Sequence, residues 1–210
     1  MLASILIRVG GVVAMVGGAA SATLGGLTVL VLGLNDELPG SIEKAIQKGG
    51  WEPRVANMLL IGALAAIVAL HGLQRQHYGS QGTLAALAAF IGLVMLPVAW
   101  LIVGPPFPIA VQDAALIMGL LGVLAASLGI VGLGIVTMGV GVLPRWCGGA
   151  LIAGSPPFVG LEFVVLASLG LPAMVPGGIA WALVGVPWLM VGYAIFRAAG
   201  RRTELPARVR

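Results

Sequence analysis

Long apolar runs separated by short polar interruptions make up this chain. The runs cover about residues 8–34, 55–73, 82–103, 114–143, 147–170 and 179–196. A helix of about 20 apolar residues crosses the hydrocarbon core of a bilayer. The pattern therefore predicts an all-α fold, a polytopic transmembrane helical bundle of about six spans. The runs are continuous, whereas a membrane β-barrel alternates apolar and polar residues in segments of about ten. One membrane domain over 1–198 is expected, with a polar loop at 35–54 and a basic tail at 199–210.

The interruptions carry their own signals. Ala20-Ser21-Ala22 resembles a signal-peptide cleavage site, but the apolar run continues through Leu34, so a retained first span is expected. In the polar loop, Ser41 is placed to cap a short helix with Ile42, Ala45 and Ile46 on one face, ended by Gly49-Gly50. Such a helix lies in the membrane interface or simply covers the bundle end, and Trp51 is an interfacial anchor. Pro97 is expected to kink the third span, and Asp113 to sit in the first turn of the fourth, where a carboxylate complements the helix dipole. His71 is read as an interfacial residue at the end of the second span. A Pro-Gly turn is expected over 171–178, and a frayed polar tail from Ala198 onward.

Glycine marks where helices approach closely. The fourth run holds Gly122, Gly129 and Gly132 among others, so it is expected to be the central packing helix. The first run, with Gly17, Gly18 and Gly25, is its expected neighbour.

The fifth run contains the one break at expected membrane depth, Ser155-Pro156-Pro157, followed by Glu162. Glu162 is the only acidic residue placed inside a span, and a carboxylate there is costly unless protonated, paired or wet. One reading is a proton or cation site in which Ser155 adds a hydroxyl beside carbonyls freed by Pro156 and Pro157. The other is structural: Glu162 is protonated, or hydrogen-bonded to a neighbouring or partner helix.

Composition sharpens the class. Of 210 residues, 60% are hydrophobic and 9% charged, too few charges to cover a water-facing surface. The net charge is +4, but Arg197, Arg201, Arg202, Arg208 and Arg210 are all C-terminal, which argues for orientation and anionic lipid contact over nucleic acid. Arg145, Trp146, Arg201 and Arg202 join Trp51 as interface anchors. With six spans, Arg8, Arg75, Arg145 and the C-terminal arginines share one side. Lys44, Lys48 and Arg54 lie opposite among acidic residues, so both termini are expected in the cytoplasm.

No phosphate-binding loop, nucleophile elbow or zinc motif is present, and Cys147 is the only cysteine. No catalytic, cofactor or metal residue is expected. Trp100-Leu101-Ile102-Val103-Gly104 matches Trp188-Leu189-Met190-Val191-Gly192, each after a proline, as inverted three-span repeats would. Chance similarity is the better account of a match of that length.

Arg8-x-Gly10-Gly11 and Leu143-Pro144-Arg145-Trp146 resemble the span openings of uncharacterised bacterial multipass membrane proteins. The resemblance implies a bacterial cytoplasmic membrane location and no activity. The functional expectation is a non-catalytic membrane subunit in a homo- or hetero-oligomer, with a small proton- or cation-coupled transporter centred on Glu162 as the alternative.

Overall fold

The computed structural model describes residues 2–33, 51–103, 107–169 and 174–204, and these are helical throughout apart from short connections. The elements are α1 (Leu2–Gly33), α2 (Trp51–Gln74), α3 (Gly79–Ile102), α4 (Ile109–Val140), α5 (Arg145–Ala153), α6 (Pro156–Ser168) and α7 (Met174–Glu204). Five of them, α1 to α4 and α7, are long and apolar enough to cross a membrane. The expected interfacial helix at 41–48 lies outside the described residues.

Several boundaries differ from expectation, each for a local reason. The fourth helix begins at Ile109, directly after Pro108 with φ −60° and ψ 149°, so Asp113 falls in the second turn and caps nothing. Pro176, Gly177 and Gly178 lie inside the first turns of α7 instead of forming a loop. A proline in a first turn removes no helical hydrogen bond, because those N–H groups have no partner anyway. At its other end α7 runs on through Arg197 and Arg201 to Glu204. Alanine and arginine are strong helix formers, so the helix outlasts the apolar run.

Glycine decides which helices pair. Antiparallel α1 and α7 meet along Gly11, Gly18 and Gly25 on one side and Gly192, Gly185 and Gly178 on the other. A Cβ on Gly192 would lie 2.6 Å from the Gly11 carbonyl oxygen and 2.7 Å from the Met15 nitrogen. Both glycine sets repeat every seven residues, a period that keeps one seam in contact when the helices supercoil left-handedly. Ser21 closes the seam by donating to the Trp181 carbonyl at 2.7 Å. The adjacent glycines of α1 serve a second partner: Gly10 and Gly17 lie against the backbone of α2 at Ala65 and Met58.

The fourth helix is built the same way but on a different partner from the one expected. Its main neighbour is α3, and that of α1 is α7. Gly129 lies against the Ala89 backbone, a Cβ on Gly122 would be 3.1 Å from the Gly92 carbonyl oxygen, and one on Gly132 would be 3.2 Å from Ala85 Cβ. Small residues are abundant on α1, α3, α4 and α7 alike, so glycine content alone does not select a partner. Helix α1 packs on α2 and α7, while α4 packs on α5 and α3. The N-terminal helix α1 thus meets the C-terminal helix α7, and α4 meets the preceding helix α3.

These pairings collect charge at one end. Gly72 lies beside Ile7, Gln74 meets Thr137, Gly148 meets Met138 and Gly200 lies beside Arg8. Arg8, Arg75, Arg145, Arg197 and Arg201 therefore share one end of the bundle, and Arg54 is at the other.

Candidate functional site at the broken helix

The break between α5 and α6 is short and its backbone is largely satisfied. Pro156 and Pro157 have no N–H to donate, so the carbonyls one turn earlier lose their helical partners. The Ile152 carbonyl recovers the Ser155 N–H at 3.1 Å and the Ser155 hydroxyl at 2.6 Å. The Gly154 N–H donates to the Ala150 carbonyl at 2.9 Å. From α7, the indole N–H of Trp188 donates to the Gly154 carbonyl at 3.2 Å. Trp188 is only 3% exposed and Ser155 is fully buried. The helix restarts at Pro156, a favoured residue for a first helical position.

The hydroxyl of Ser155 therefore closes the break from within, and the Gly154 carbonyl is bound by an indole. The geometry is that of a stitched joint. Glu162 lies in α6, beyond the joint, and its side chain is outside the described residues. Positions one turn either side of it, Phe158 and Val165, are exposed in the isolated chain.

A cavity of about 530 Å³ opens beside the joint, lined by residues that include Leu60, Ile130, Gly154, Pro156, Trp181 and Trp188. Among the described residues no titratable side chain lines it. Its described lining suits an apolar occupant.

Two further buried polar groups, Gln74 and Thr137, lie at the basic end. The Thr137 hydroxyl donates to Gln74 Oε1 at 3.2 Å, with both residues fully buried. Gln74 Nε2 has no hydrogen-bond partner among the described residues. His71 Nδ1 and the Tyr78 hydroxyl are 2.8 Å apart, so the ring reaches into the α2–α3 connection. Burial pushes the Tyr78 phenol up to about 12. Among the described residues no three His, Cys, Asp or Glu side chains converge as a metal site, and Cys147 is a buried free thiol.

The interface anchors are spread over both ends. Trp51 opens α2 and Arg202 lies in the last turn of α7, both with side chains outside the described residues. Arg145 opens α5 and is exposed, Trp146 is half exposed beside it, and Arg201 is exposed on α7. The two matching Trp motifs sit in opposite surroundings, with Trp100 79% exposed and Trp188 buried. Sequence reasoning passed over Trp188, Gln74 and Thr137. The available signal was position: a tryptophan mid-span and a glutamine ending an apolar helix are both away from where such residues are ordinarily satisfied.

No protein-family model, curated protein or solved structure matches this chain significantly.

Proposed function

We propose that this chain is a non-catalytic integral subunit of a bacterial cytoplasmic membrane, packing the outer faces of its helices against lipid and partner helices. The observation that carries the reading is the close packing of the helices: backbone-close glycine contacts join them, and the described lining of the cavity at the joint is apolar. In this reading α5 and α6 form a single broken fifth span. Their 9 and 13 residues with Gly154 and Ser155 between them make a rise of about 36 Å if nearly collinear, enough for a core of about 30 Å. Six spans then put both termini on the basic side, which the positive-inside rule assigns to the cytoplasm. Helical register gives position 162 the same face as Phe158 and Val165, so a partner helix on that face would supply the hydrogen bond a membrane carboxyl needs.

The test is photo-crosslinking from Val165 in native membranes. Capture of another polypeptide, lost or altered in Glu162→Gln, supports the subunit. Lipid adducts alone, unchanged in Glu162→Gln, overturn it.

A second reading, a small proton- or cation-coupled transporter, is favoured by the break between α5 and α6, since carrier sites are typically formed by discontinuous helices. It requires Glu162 to titrate during transport. A Glu162→Gln variant retaining full proton-coupled flux in liposomes would eliminate it.

A further inference from the structure

Two clefts flank the C-terminal third of α7 at the basic end. One, of about 440 Å³, lies between α7 and the α4–α5 connection and is lined by residues including Leu73, Pro144, Trp146, Tyr193, Arg197 and Arg201. The other, of about 520 Å³, is lined by Arg8, Tyr193, Phe196, Arg197, Gly200 and Arg201. Three residues line both: Tyr193, Arg197 and Arg201. They are spaced four apart on α7, so they form a single stripe one turn per step.

The lining chemistry is uniform. Among the described residues no acidic side chain lines either cleft. The only charged side chain of α1, Arg8, reaches this stripe, because a Cβ on Gly200 would be 3.4 Å from Arg8 Nη2. Guanidinium groups bind phosphate through paired N–H donors, and a tyrosine hydroxyl donates as well. Trp146, Tyr193 and Phe196 are each about half exposed beside the arginines. Amphipathic and aromatic rings next to basic groups are what a lipid headgroup with its glycerol and upper chains meets at an interface. Both volumes lie in the range of roughly 300–1,000 Å³ typical of small-molecule sites.

We propose that these adjacent clefts, which share the Tyr193, Arg197 and Arg201 wall, bind an anionic phospholipid with two phosphates, one in each cleft, with Arg197 and Arg201 between them and Arg8 completing the second. A lipid with one phosphate would engage one cleft and leave the other without its anion. A pair of free phosphate ions shares this chemistry but lacks the chains that the flanking aromatic residues contact. The site rests on the membrane reading above.

The test is native mass spectrometry of the full chain released from bilayers containing equal phosphate as diphosphatidylglycerol, phosphatidylglycerol and phosphatidylcholine. One diphosphatidylglycerol should stay bound per chain, in preference to the other two. Arg197→Gln/Arg201→Gln should weaken retention by on the order of tenfold or more. Arg75→Gln/Arg145→Gln removes the same charge from the same end but outside both clefts, and should retain the lipid. Equal retention of phosphatidylglycerol overturns the two-phosphate site, and an equal fall in both double variants overturns a localised site. Displacement by millimolar inorganic phosphate identifies a free-anion site and overturns the lipid assignment. Helical circular dichroism of each variant establishes that it is folded. Recovery of the chain without detergent from the soluble fraction would instead refute the membrane reading itself.

Discussion

Adjacent glycines near the end of α1 offer a controlled test of the helix seam. A Cβ on Gly25 would meet the Gly178 carbonyl oxygen and stand 2.5 Å from the Ala182 nitrogen and 3.0 Å from Trp181 Cβ. Non-bonded heavy atoms are most favourable near 3.5–4.0 Å, so α1 and α7 must separate locally by about 1 Å to accept Gly25→Ala. Two of the three obstacles are backbone, which no rotamer change relieves. Overpacking of this kind costs about 1–3 kcal/mol. At the neighbouring Gly26, an added Cβ would have nothing within 4 Å. Gly26→Ala therefore gains only helix propensity, about 0.5–1 kcal/mol. The two variants add the same methyl one residue apart, and they should differ in stability by roughly 1.5–4 kcal/mol. Unfolding in mixed micelles followed by helical circular dichroism measures the difference. If Gly25→Ala is as stable as Gly26→Ala, the glycine seam is not what holds α1 to α7.

Three further outcomes follow from the polar contacts. Thr137→Val leaves the Gln74 amide buried with neither end bonded and should destabilise by about 1–3 kcal/mol, whereas the double variant Gln74→Leu/Thr137→Val removes both partners and should be near neutral in the same unfolding assay. Trp188→Phe keeps an aromatic ring but strips the Gly154 carbonyl of its donor; it should cost about 1–3 kcal/mol in the same unfolding assay. The Tyr78 phenol is raised from 10.0 to about 12, so the unfolded chain deprotonates first. Its contribution is complete below pH 10 and is lost as pH rises from 10 toward 12, and Tyr78→Phe should flatten that part of a pH–stability profile.

Hydropathy made the helices legible because a membrane span needs a long apolar run whatever it packs against. Partner choice was less legible. Gly11, Gly18 and Gly25 do carry a seven-residue period that matches Gly178, Gly185 and Gly192. Yet α3 and α4 also offer small residues on one face, and only the three-dimensional arrangement assigns α1 to α7. Helix ends were misread where propensity outran polarity: Ala198 to Glu204 is too polar for a span but continues the helix. The joint was visible as Ser155-Pro156-Pro157, while its closure was not. That closure depends on Trp188, 34 residues away from Gly154, reaching a carbonyl whose helical donor, the Phe158 N–H, bonds the Ser155 carbonyl instead.

The most direct test of the subunit reading is the mass of the particle extracted from native membranes in mild detergent through a tag on the C-terminal tail. The account predicts a particle several times heavier than the 21.2 kDa chain and containing other polypeptides. A particle of one chain with lipid and detergent alone would contradict it.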